Sequence, residues 1–221
     1  MSGPSHLAAG DAARTRNHYG QRIGSKGQRT RQALIEATVR LLERHGLRDV
    51  SVADVAREAQ TSPATFYVYF RGVAEVVLAA LEHAPQTSPR LEALMERDWL
   101  GAGGDAAARE LVDEYTALWA TNATIFRVRN LAAEEGDVRF YEARLAAARP
   151  TMDRLAPKVA AAQAAGRVPA GLDPRACVGT LLMMLERLSA IGPLGHEGSP
   201  PFAVLKDAAA YAVAGMLGVA R

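Results

Sequence analysis

The sequence predicts an all-α protein in two parts: a small N-terminal three-helix domain built around a helix-turn-helix, and a larger C-terminal helical domain. Three observations carry that expectation. Apolar residues recur at three- and four-residue spacing along most of the 221 residues. Cap residues followed by proline, at Ser62-Pro63 and Asp173-Pro174, punctuate the periodic segments as helix starts. The composition is rich in alanine and only 6% aromatic, as suits a helical protein.

Residues 1–24 carry glycine, serine and polar side chains without apolar periodicity, which predicts a flexible basic arm. Through Arg31 the cations are Arg14, Arg16, Arg22, Lys26, Arg29 and Arg31, against the single acid Asp11. The arm is either a solubilising tail or a source of phosphate and minor-groove contacts, and Lys26 and Arg29, adjoining the first helix, favour nucleic acid. Ser25 and Gln28 fit a capping box opening that helix. Leu34, Ala37, Leu41 and Leu42 then form a buried stripe, and Gly46 after His45 reads as a left-handed C-cap, with His45 a helix-end cation.

Ser51 to Phe70 reads SVADVAREAQTSPATFYVYF. Val52, Val55, Ala56 and Ala59 make one apolar stripe on a short helix, which Ser51 caps with Asp54 completing an S-x-x-D start. The pattern stops at Gln60-Thr61 and restarts at Ser62-Pro63. Two short helices joined by a tight turn follow. Phe66 and Phe70, four apart, face inward. Ala64, Thr65, Val68 and Tyr69 fall on the opposite side with Tyr67 at the flank. A solvated helix face is ordinarily charged; small residues, a hydroxyl and tyrosines suit a helix pressed into a DNA major groove, where Thr65 touches a base edge or a thymine methyl and tyrosine hydroxyls reach phosphates. The competing interpretation is a helical hairpin whose tyrosines merely cover a core. The candidate DNA contacts are Lys26, Arg29, Ser51, Ser62, Pro63, Ala64, Thr65, Tyr67, Val68, Tyr69 and Arg71.

Together, TRQALIEATVRLLERHG, SVADVAREA and the T-F-Y-V-Y-F run make residues 28–84 resemble the DNA-binding domain of the TetR family of bacterial transcriptional regulators. Family members usually carry Gly-Val where this chain has Gln60-Thr61, and often a lysine where it has Arg71-Gly72-Val73. The resemblance implies a helix-turn-helix domain over 25–72 and a helical effector-binding and dimerisation domain over 73–221.

Beyond the turn, Val73, Val76, Val77, Ala80 and Leu81 predict a helix to Ala84, and Pro85 to Pro89 a break. Leu91, Leu94 and Met95 continue in helix before the loop at 101–105. Asp105 is expected to cap a long helix in which Leu111, Tyr115, Leu118, Trp119, Asn122 and Phe126 share a face. A helix over about 137–165 follows, which Pro150 and Pro157 should kink or divide. Cys177, Val178, Leu181, Met184, Leu185 and Leu188, then Phe202, Leu205, Ala209, Val213, Met216 and Leu217, mark two closing helices too apolar for lone surface helices. They read as a homodimer seam, or else as the closure of one subunit's core.

The resemblance also implies a small-molecule effector. Tyr115, Trp119, Asn122, Phe126, Phe140, Met152, Met183 and Met184 are the candidate lining, which describes a pocket for an apolar ligand and equally an ordinary core. No fingerprint for catalysis, phosphate or dinucleotide binding occurs, and the five histidines (His6, His18, His45, His83, His196) lack partners at metal-ligand spacing. Cys177 excludes an intramolecular disulfide. No cofactor is expected. No stretch is expected to reach the length of a membrane span, and no signal peptide opens the chain. The expectation is a cytoplasmic repressor released from a palindromic double-stranded operator by a small lipophilic effector. The alternatives are an all-α enzyme retaining a helix-turn-helix scaffold and an effector-independent DNA-binding protein.

Overall fold

The computed structural model describes residues 23–195 and 197–219. Apart from Ile23 and Gly24, the expected arm lies outside them, as do His6, His18 and His196. Among the described residues the α-helices are α1 (Ser25–Leu42), α2 (Val52–Glu58), α3 (Pro63–Tyr69), α4 (Val73–His83), α5 (Pro89–Glu96), α6 (Gly104–Thr121), α7 (Ala123–Glu134), α8 (Val138–Ala164), α9 (Pro174–Ile191) and α10 (Phe202–Met216), with no strand. They form two compact units, Met1–Ala84 with Thr124–Phe140, and Pro85–Ala123 with Tyr141–Arg221.

In the first unit α1 packs against α2 and α4, and α3 against α2. Leu34, Ala37, Leu41 and Leu42 are buried as their spacing requires, and Thr38 joins them by donating its hydroxyl to the Leu34 carbonyl at 2.8 Å. Two expected caps are replaced. Gly24, extended at φ −73° and ψ 174°, is the N-cap of α1, and Gln28 N donates to its carbonyl, so Ser25 lies inside the helix and forms no capping box. Gly46 is not left-handed: at φ −68° it opens a 3-10 turn (Leu47–Asp49), while Arg44 and His45 N–H groups close α1 on the Leu41 carbonyl. The boundary expected after residue 72 falls instead after Ala84, because Val76, Val77 and Ala80 of α4 are buried against this unit. Residues 124–140, expected in the larger domain, also group here; Arg48 Nη2 lies 3.1 Å from Glu135 Oε2.

The second unit surrounds α6, which packs against α5, α9 and α10, with α9 also against α10. Its core runs through Leu91, Met95, Leu111, Val159, Val178, Leu181, Leu185, Val213 and Leu217. Asp173 caps α9 as its sequence signal requires, accepting from Ala176 N at 2.8 Å with Pro174 in the first turn. Asp105, by contrast, is not a cap: left-handed Gly103 (φ 87°) takes that place, and Asp105 sits in the first turn of α6. Helix α6 ends at Thr121, so Phe126 stands on a separate helix rather than on the face of Tyr115 and Trp119. Pro150 and Pro157 do not divide α8. Both are exposed, as are Ala146 and Asp153, whose carbonyls lose their helical donors to the prolines. One stretch does reach membrane length, against expectation: Pro174–Leu194, 21 residues at mean hydropathy 1.3. A third of it is buried, with Val178, Leu181 and Leu185 in the unit's own core.

Candidate nucleic-acid interface

Helices of seven residues do not persist alone, so α2 and α3 depend on their ends and their buried faces. The start of α2 is a complete capping box: Asp54 N donates to Ser51 Oγ at 3.2 Å, and Ser51 N returns a bond to Asp54 Oδ2 at 3.1 Å. The Ser51 hydroxyl also donates to Asp54, and this bond foremost holds the Asp54 carboxyl below the usual range. At the other end, Thr61 N bonds the Ala56 carbonyl and Gln60 N the Arg57 carbonyl, the paired bonds of a Schellman ending. Its left-handed position is filled by Gln60, at φ 53°, the one non-glycine residue with positive φ among the described residues. Three other helices end through the same bond pair with glycine there, at Gly136, Gly166 and Gly218. The departure at Gln60-Thr61 therefore keeps the turn geometry and accepts strain.

Ser62 then caps α3, accepting from Thr65 N at 3.1 Å, with Pro63 in the first turn. Phe66 and Phe70 are 0% and 1% exposed, with ring centroids 5.9 Å apart, and the Arg31 guanidinium lies 5.0 Å over the Phe70 ring. With that face anchored, Pro63, Ala64, Tyr67 and Val68 are exposed, and Thr65 and Tyr69 are half-buried rather than walled in. The Thr65 and Ser62 hydroxyls bond each other at 3.0 Å. The Tyr69 hydroxyl stands beside the first turn of α1, 3.2 Å from where a Cβ on Gly27 would sit. That contact brings the segment bearing exposed Lys26 and Arg29 next to the end of α3, where Arg71 is exposed too. The Arg71 N–H donates to Glu75 Oε2 at 2.6 Å. Behind this surface, Arg40 Nε bonds Glu58 Oε1 at 2.9 Å and ties α1 to α2; this bond foremost lowers the Glu58 carboxyl.

The eight residues expected as ligand lining divide between the two units, and within the second Tyr115, Met152 and Met184 pack against one core. Phe126 and Phe140 are buried in the first unit. In the second, Trp119 is buried, Asn122 ends α6 by donating to the Leu118 carbonyl at 3.0 Å, Met152 and Met184 pack half-buried against the core, and Met183 is 58% exposed. Tyr115 does line a pocket, with Leu91, Met95, Leu155, Leu181 and Thr151 among its neighbours. The space between them is about 10 Å³, room for one water-sized sphere and for no larger ligand. Most of these residues stand out in the sequence as helix faces, but periodicity alone does not distinguish a residue lining a gap from one filling a core. Thr151 has no sequence signal at all; its burial depends on how α8 lies.

Fold and surface define an all-helical protein with an N-terminal helix-turn-helix. Residues 34–80 match the family described as "Bacterial regulatory proteins, tetR family", and residues 91–196 match "Tetracyclin repressor-like, C-terminal domain". The chain belongs to the TetR family. It is 40% identical over 62 residues to the HTH-type transcriptional regulator BetI of Brucella anthropi, 28% of this chain and 31% of that protein, so it spans about a third of the length of the curated relatives it matches. Among solved structures, its fold is similar to the fatty acid degradation regulator FadR of Bacillus halodurans, with a TM-score of 0.62 at 15% identity over 91% of this chain and 99% of that one. It is likewise similar to FadR of Bacillus subtilis, solved in complex with stearoyl-CoA, with a TM-score of 0.59 at 15% identity over 81% and 95% of the two chains.

Proposed function

We propose that this chain is a cytoplasmic transcriptional repressor that binds a palindromic operator in double-stranded DNA as a homodimer and is released by a small apolar effector. The observation that carries the reading is the outward face of α3: Pro63, Ala64, Tyr67 and Val68 exposed on a helix whose other face is anchored by Phe66 and Phe70, beside exposed Lys26, Arg29 and Arg71. Cations at the rim suit phosphates, and the uncharged face between them suits base edges. Ser51 and Ser62 add hydroxyls at the starts of α2 and α3, and Tyr67 and Tyr69 add phenols. One seven-residue helix reads too few base pairs for specificity, so pairing of two copies is part of the proposal. Exposed apolar side chains on the closing helices, Met183 and Ile191 on α9 with Val204 and Tyr211 on α10, support that pairing.

Footprinting on DNA flanking the gene tests the reading. One protected palindrome is expected, and Thr65→Ala should relax preference at one position of each half-site. Equal affinity for operator and random duplex would defeat it. For the effector, the apolar lining around Tyr115, Met95 and Leu181 favours an acyl chain or a fused-ring compound, in keeping with the acyl-CoA held by the Bacillus subtilis relative. Ligand pockets enclose roughly 300–1,000 Å³, so binding must part the helices that now close the site. Such a ligand shifts the protein only by its difference in affinity between open and closed forms. Long-chain acyl compounds are expected to raise the melting temperature and release the operator; a panel without effect on either would remove this part of the proposal.

A further inference from the structure

We infer that α3 reads its DNA site through the C5-methyl groups of pyrimidines, thymine foremost, and not through hydrogen bonds to guanine or adenine edges; this rests on the DNA-binding role proposed above. Bidentate recognition of guanine takes Arg or Lys, of adenine Asn or Gln, and of cytosine an acidic acceptor. None of these residue types occurs between Ser62 and Phe70.

The two aliphatic hydroxyls at the start of the helix are committed to each other and to its backbone. Ser62 Oγ accepts from Thr65 N and pairs with the Thr65 hydroxyl, so both serve the start of the helix. The Tyr67 ring is set edge-on against Phe66, centroids 5.7 Å apart, and leaves its phenol exposed; this phenol and that of half-buried Tyr69 are the groups given to phosphates in the role proposed above. Besides those phenols, what the helix offers outward is hydrocarbon: the Pro63 ring, the Ala64 methyl, the γ-methyls of Val68 (37% exposed) and the methyl of half-buried Thr65. In the major groove the one apolar feature of a base edge is the thymine methyl, and 5-methylcytosine presents the same group. Lys26, Arg29 and Arg71 bind phosphates whatever the sequence, so overall affinity does not require polar base contacts. The information in the site is then a pattern of methyl groups.

The test uses the full chain and the duplex it retains best from a randomised pool, with thymidine replaced by deoxyuridine one position at a time. At two or three positions in each half-site, affinity is expected to fall about fourfold, the equivalent of ~0.8 kcal/mol for one buried methyl group. At those positions cytosine should bind as weakly as uracil, and 5-methylcytosine should restore most of the loss. Val68→Ala should erase the thymine–uracil difference at one position and keep it at the others. Unchanged affinity for every uracil duplex overturns the inference while the DNA-binding role stands, as would a loss on replacing guanine by 7-deazaguanine within the half-site. A pool from which no sequence is retained overturns the DNA-binding role itself, and the inference with it.

Discussion

The two units hold their helices by different means. In the helix-turn-helix unit, α2 and α3 have seven residues each and bury little beyond Val55, Ala56, Phe66 and, just past the end of α3, Phe70. Side-chain caps and a Schellman ending compensate by satisfying backbone groups that so short a helix leaves open, and the Arg40–Glu58 ion pair ties α2 to α1. In the larger unit, α6, α8, α9 and α10 run for 15 to 27 residues, and a continuous apolar core holds them. The contrast fits the proposed roles. A surface proposed to meet DNA has to be rigid without being covered, which end-capping of short helices permits; a domain proposed to admit a ligand has to part along an apolar seam, which packing between long helices permits.

Deleting an anchor should mark the contrast most sharply. Phe66→Ala is expected to destabilise the first unit by about 3–5 kcal/mol and abolish DNA binding. Leu181→Ala should cost the second about 2–5 kcal/mol, softened to the extent that the neighbouring closed pocket collapses. Scanning calorimetry of the two variants checks the comparison: each should lower a different part of the transition, and identical profiles would mean that the units unfold as one. Ser51→Ala should cost about 1 kcal/mol through loss of the capping box, read from urea midpoints. Gln60→Gly should stabilise by roughly 0.5–1 kcal/mol, since glycine relieves the left-handed strain while adding freedom to the unfolded chain. A destabilised Gln60→Gly variant would show that the Gln60 side chain makes a contact worth more than the strain.

The smallest expected effect is an acid one. Hydrogen bonds from Ser51, Arg40 and Arg139 hold the carboxyls of Asp54, Glu58 and Asp137 below the ordinary range near 4, and all three belong to the first unit. A depressed carboxyl takes up its proton less readily folded than unfolded. Its contribution is therefore complete above the unfolded value and is lost as pH falls through the folded one. Helix-turn-helix stability should decline from about pH 4 downward, and Asp54→Asn should flatten that decline in circular-dichroism melts at graded pH.

Local signals survived folding unevenly, for a reason visible in particular residues. Ser51, Ser62 and Asp173 cap the helices they announce, because each bonds a backbone N–H within three residues and nothing distant competes. Ser25, Gly46 and Asp105 do not, because a neighbouring glycine or the preceding turn already supplied the required conformation. Most of the eleven residues proposed for DNA contact follow from one helix face and its flanks, with Lys26, Arg29 and Ser51 added from local charge and capping signals, whereas the eight proposed for a ligand required knowing which helices meet. Thus the succession of helices, the helix-turn-helix and its uncharged surface were determined by the sequence alone, since they depend on spacing over a few residues. The grouping of α7 with the first unit, the break before Phe126 and the membership of the pocket were decided only by tertiary structure. Contacts between residues tens of positions apart leave no periodic trace in the chain, and a core residue and a pocket residue present the same hydrocarbon until packing separates them.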